Sequence, residues 1–131
     1  KAQIFGQPTP LLVPLIEHHG DKYMNLVLED YLKPLIDHGL DSLILGCTHY
    51  IEIKDRVREL TRHRVRVLSQ DEIIPPKLKD YLLRHPEIEN RLSHNGSFQI
   101  YATDVNPSFV KNIQKLMGDD ATAQQAVYDF A

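Results

Sequence analysis

The sequence predicts an α/β protein: parallel-sheet layers with helices on both faces. Short apolar or alternating runs take turns with longer runs of three- and four-residue apolar spacing, and glycine, proline or asparagine marks most junctions. The run "LILG" is apolar without alternation, the pattern of a parallel strand covered on both sides. The 131 residues are enough for one modest domain with its own core, and 42% hydrophobic with 25% charged residues is an ordinary globular balance.

In chain order, "KAQIF" is expected to end a strand. "GQPTP" forms a loop, because prolines and a glycine crowd together there. Thr9 caps a short helix, "LLVPLIEHHG", with Pro10 at its first position and Gly20 at its close. A second helix has Asp21 as its cap candidate and turns Met24, Leu28, Tyr31, Leu32, Leu35 and Ile36 to one face. Pro34 predicts a kink, since it lacks a donor and crowds the carbonyl of Asp30; Gly39 ends the helix. "DSLILG" is a strand, "YIEIKDRVREL" a helix with Ile53, Val57 and Leu60 inward, and "HRVRVLS" a strand. "QDEIIPPKLKDYLLRHPEIENRLSHNG" predicts two helices divided at Pro86, the first beginning near Ile74 because of Pro75 and Pro76. "SFQIYATD" is a strand. "NPSFVKNIQKLMG" is a helix with Asn106 as cap, Pro107 first and Gly118 at its end. "QQAVYDF" is the last strand. Phe98, Tyr101, Phe109, Tyr128 and Phe130 are expected in the core or between domains.

Composition narrows the function classes. Net charge is −3 with a pI near 6.2, which gives no reason to expect nucleic acid as a partner. Six Lys/Arg residues fall between Lys54 and Arg66, but Glu52, Asp55 and Glu59 lie among them, so a solvated face is expected. No apolar run approaches the ~18–20 residues of a membrane span. The one cysteine excludes an internal disulfide and a zinc site built mainly on thiolates, and with no targeting pattern it favours a cytoplasmic setting. His18 and His19 are adjacent and point apart on a helix, so no metal site is expected from them. The chain opens on "KAQIFG", without Met, and is expected to be part of something longer.

The group with chemical promise is Cys47, in "LILGCTHY". It follows a buried strand and precedes a helix, the place where α/β sheets bind ligands. A helix start offers unpaired N–H groups and partial positive charge, which favours a thiolate. Thr48 offers a hydroxyl and a backbone N–H to a carboxylate, and His49 can share the thiol's proton or hold a substrate. The competing reading is a small buried hydrophobe.

Gly46-Cys47-Thr48-His49-Tyr50 resembles the second catalytic motif of glutamate racemases, a Gly-Cys-Thr-His-Tyr segment usually followed by Pro. "QPTPLLVPLIE" is similar to that family's segment ending Pro-Leu-Val-Glu, and "YLKPLIDHGLDSLILGCTHY" to its helix–strand lead-in. "FQIYATD" resembles its late strand. Aspartate racemases tend to carry Glu where this chain has His49. The resemblance implies proton transfer at Cα without a cofactor: one cysteine removes the proton and a second, on the opposite face, delivers another. Cys47 would be the acid/base for one enantiomer, Thr48 and His49 would contact substrate, and Glu17 would support them beside His49. It implies a two-domain fold with the active site between domains, glutamate as substrate, D-glutamate for peptidoglycan, and a homodimer as a further expectation. Residues 1–69 would belong to the second domain and 70–131 to a segment returning to the first. Two departures stand out. Ile51 replaces the usual Pro, and the first cysteine motif is absent, so this chain is expected to be the C-terminal part of the enzyme, inactive without its N-terminal half. The alternatives are a sister racemase for aspartate or a hydantoin, and a non-catalytic binding module that keeps the motif.

Overall fold

In a computed structural model, which describes residues 2–127, two parallel strand pairs organise two separate compact units, Lys1–Asn90 and Arg91–Ala131. The division falls after Asn90. The one expected after Ser69 concerns how a longer protein shares these segments between domains.

The first unit runs α1 (Leu12–Glu17), α2 (Asp21–Asp37), β1 (Ser42–Ile44), a 3₁₀ helix (Thr48–Ile53), α3 (Lys54–Leu60), β2 (Arg66–Leu68), α4 (Gln70–Arg84) and α5 (Pro86–Glu89). β1 and β2 pair in parallel with Leu43 opposite Val67, and the 3₁₀ helix and α3 make the crossover. Its core gathers Leu12 and Ile16 of α1, Met24, Leu28 and Leu32 of α2, Leu45, Ile53, Val57 and Val67. Five of these, Leu12, Ile16, Met24, Leu28 and Leu32, come from positions where helical spacing turns apolar side chains to one face.

Several local expectations are corrected. Residues 2–5 form no strand. α1 begins at Leu12, not at Pro10, and Leu11 precedes it without a side-chain cap; the Thr9 hydroxyl is engaged by Tyr50 instead. The close of α1 does not use Gly20 for its backbone freedom. His19 takes the left-handed conformation (φ 55), while the Gly20 N–H donates to the carbonyl of Leu15 and that of His19 to Ile16. Gly20 is needed for space: a Cβ there would lie 2.4 Å from Leu15 Cδ2 and 3.2 Å from its Cα. α2 runs through Pro34 as one helix, with Gly20 rather than Asp21 at its N-cap position. Within α2, Ile36 is exposed although Met24, Leu28, Leu32 and Leu35 are buried.

β1 alternates. Leu45 is buried just beyond it, whereas Ile44 is 73% exposed, so the second face is not covered as the apolar run suggested. α4 starts at Gln70, ahead of its prolines. Ser69 is extended and turns the chain, its hydroxyl donating to Asp71 at 2.5 Å. The missing donors of Pro75 and Pro76 leave only two carbonyls of an exposed first turn, which water can satisfy. Asp71 and Glu72 also bind cations of α3: Lys54 pairs with Asp71, Lys54 with Glu72 at 3.2 Å, and Arg58 with Glu72 at 2.7 Å. With Arg56 on Asp21, three of the six cations in the basic run are ion-paired.

The second unit pairs β3 (Ile100–Ala102) with β4 (Ala123–Gln125) in parallel around α6 (Pro107–Met117). Its helix is built as expected: the Asn106 side chain accepts the N–H of Phe109 at 2.9 Å, Pro107 stands first, and Gly118 follows at φ 103. Phe98 and Tyr101 are more than half exposed rather than in a core, and Phe109 is half-buried. Tyr128 and Phe130, with the end of the expected last strand, lie outside the described residues. Among the described residues no helix is long and apolar enough to cross a membrane.

Candidate active site

Strand pairing carries the chain to the site. Beyond β1, the Leu45 N–H still donates to the Leu68 carbonyl at 3.0 Å, which buries Leu45 and delivers Gly46 and Cys47 to the strand's carboxyl end. Cys47 is extended (φ −130, ψ 142) and half-buried. Its carbonyl accepts the Tyr50 N–H at 3.1 Å, closing the first turn of the 3₁₀ helix. The element after Cys47 is thus this tight turn, and α3 starts only at Lys54.

The turn brings His49 back over the thiol, with Cys47 Sγ and His49 Nδ1 3.7 Å apart. The other ring nitrogen, Nε2, lies 3.0 Å from Glu17 Oε1 at the last residue of α1. Thiol, imidazole and carboxylate form a line joining two distant segments. With Glu17 ionised, Nε2 carries the proton it donates, and Nδ1 is then free to accept the proton of the thiol. A carboxylate in that place is also suited to stabilise an imidazolium. This is the chemistry of an acid/base thiol.

Thr48 stands exposed at the first position of the 3₁₀ helix. Beside the thiol lies a cleft of about 750 Å³, lined among others by Cys47, Gly46, Thr9, Tyr31, Tyr50 and Phe5. All of these belong to the first unit. His18 and His19 are both exposed in the turn after α1. Sequence reasoning missed the contact between Thr9 and Tyr50, 2.5 Å between hydroxyls. No local signal links two residues so far apart in the chain.

Fold and site together define the class: an α/β protein with a strand-end thiol, imidazole and carboxylate in line. No family model matches the chain. Among curated proteins it is 32% identical over 119 residues to the glutamate racemase of Persephonella marina, covering 89% of this chain and 43% of that protein. To the glutamate racemase of Sulfurihydrogenibium sp. it is 30% identical over 129 residues, covering 97% of this chain and 46% of that protein. The crystal structure of glutamate racemase from Francisella tularensis, in complex with D-glutamate, superposes with a TM-score of 0.76 at 22% identity, over 97% of this chain and 47% of that one. The chain is thus related to the glutamate racemases through a stretch under half of their length.

Proposed function

We propose that this chain is the C-terminal part of a cofactor-independent glutamate racemase, interconverting L- and D-glutamate by proton transfer at Cα between two cysteines. The observation that carries the reading is the line Cys47–His49–Glu17 at the end of β1, in a chain related to glutamate racemases. Cys47 is the acid/base on one face of Cα. His49 takes up and returns its proton and, with Thr48, holds the substrate; Glu17 sets the imidazole. Inversion needs a second acid/base on the opposite face, and Cys47 is the only cysteine in the sequence. The partner thiol is therefore supplied by an N-terminal half, with the cleft between domains. Residues 1–69 belong to the second domain and 70–131 to the return segment. The exposure of Ile74, Leu78 and Tyr81 on α4 supports the need for a further body. The product serves peptidoglycan synthesis in the cytoplasm, and the whole enzyme forms a homodimer.

The test uses the complete protein. Cys47→Ala should abolish racemisation, while hydrogen exchange at Cα with solvent survives from one enantiomer only. Unchanged exchange and turnover in both directions would refute the mechanism. The single cysteine also favours a second reading, a binding module. That reading wins if no joined or associated chain provides a second thiol and the protein still binds glutamate.

A further inference from the structure

α1 is tied to the 3₁₀ helix at both of its ends. At the far end Glu17 meets His49 at 3.0 Å. At the near end the Thr9 hydroxyl meets the Tyr50 hydroxyl at 2.5 Å, and the Thr9 carbonyl accepts the Leu12 N–H, the first residue of α1, at 3.2 Å. Tyr50 in turn donates its backbone N–H to Cys47. Between these ties, Leu12 and Ile16 press α1 into the core. Apolar burial is non-directional, so it fixes which face of α1 points inward but not where the helix stands along its own axis. A short hydroxyl–hydroxyl contact is directional and does fix that position.

We propose that Thr9 and Tyr50 are positioning residues for the thiol site: their hydrogen bond sets α1 along the 3₁₀ helix so that Glu17 reaches the far side of His49. The pair touches no reacting atom. It acts through Glu17 and His49 on the protonation of Cys47, and rests on the reading of those three residues as one acid/base unit. Within the unit Glu17 comes from α1 and Cys47 and His49 from the strand end and 3₁₀ helix, with the titratable Tyr50 hydroxyl on Thr9 beside them. Neither tie is readable as a motif, because Thr9 and Tyr50 stand 41 positions apart.

The test uses the complete protein and reads the rate of Cys47 alkylation by iodoacetamide, followed on the peptide that carries Cys47 by mass spectrometry, as a function of pH. Alkylation follows the thiolate fraction near pH 7; about two pH units above the ordinary thiol value of ~8.5 any thiol is almost wholly ionised, and on that plateau the rate reports access alone. Glu17→Gln should slow alkylation about threefold near pH 7 and leave the high-pH rate unchanged. Tyr50→Phe and Thr9→Val should reproduce that change, Thr9→Ser should not, and Tyr50→Phe added to Glu17→Gln should change nothing further. A merely structural loss would alter the high-pH rate and persist in the Glu17→Gln background, which overturns the proposal. A full Glu17→Gln effect with no effect of Tyr50→Phe and Thr9→Val overturns it also, and leaves the acid/base unit standing. No effect of Glu17→Gln overturns both.

Discussion

Met24 and Leu28 sit one turn apart on α2, each 2% exposed, and both lose three heavy atoms on truncation to alanine. Transfer alone gives about 2.4 kcal/mol for either, at ~0.8 kcal/mol per methylene-sized group. What separates them is the space behind. Leu28 lines the 750 Å³ cleft and Met24 does not. Truncating Met24 leaves an enclosed void, and a residual volume of about 60 Å³ adds ~1.5 kcal/mol. Truncating Leu28 widens a cleft that already exists, so little new cavity is created. Met24→Ala should therefore cost about 4 kcal/mol and Leu28→Ala about 2.5 kcal/mol. Urea unfolding followed by circular dichroism, at one fixed protein concentration, measures both against the parent chain. An equal or larger cost for Leu28→Ala would refute the reasoning, because it would mean that Leu28 is as tightly enclosed as Met24.

Acid should loosen the junction of α3 and α4. The hydrogen bond from Lys54, then that from Ser69, holds the Asp71 carboxyl below its ordinary 3.8, and Arg58, then Lys54, holds Glu72 below 4.5. A depressed folded value means stability that is present above the unfolded value and lost as pH falls through the folded one. Unfolding curves from about pH 7 to 2 should show that loss set in below about pH 4.5, and Asp71→Asn with Glu72→Gln should remove it. An unaltered acid limb in that double variant would sink the assignment. Gly20→Ala should destabilise the chain by about 1–3 kcal/mol through overpacking, since the new Cβ meets both side chain and backbone of Leu15. Its backbone (φ −76) suits alanine, so a stabilised variant in thermal denaturation would show that Leu15 yields freely.

The parts of the fold governed by residues close in sequence were legible. Asn106, Pro107 and Gly118 bound α6 as their side chains and backbone freedom dictate. The apolar spacing of α2 found four of its buried positions, and the aliphatic run ending at Gly46 marked the strand that delivers Cys47. The misplaced elements are those fixed by distant partners. α1 starts late, at Leu12, and the Thr9 hydroxyl meets Tyr50, 41 positions further on. α4 starts early because cations of α3 meet Asp71 and Glu72 in its first turn, where carboxylates also favour a helix start. At the site, strand end, thiol and imidazole could be read locally. Glu17 could not: by its own context it is a helix-surface acid, and only the family resemblance put it beside His49.

The geometry assigns different work to the contacts around the thiol. Glu17 and His49 are 47% and 38% exposed, and an ion pair so open to water is worth about 0–1 kcal/mol. It is too weak to hold α1 against the core. Leu12 and Ile16 do that, buried at 3% and 8% exposure, with Leu45 and Ile53 in the same core cluster, and they leave the helix's place along its axis to directional contacts. The carboxylate's contribution is therefore directional. On the proposed reading, its place at Nε2 decides which imidazole nitrogen bears the proton and leaves an accepting Nδ1 toward Cys47. A neutral amide can also accept a hydrogen bond at Nε2, but it cannot stabilise the imidazolium that forms once the thiol gives up its proton. Glu17→Gln therefore separates the two roles. The stability of the fold should scarcely change, while the protonation behaviour of Cys47 should.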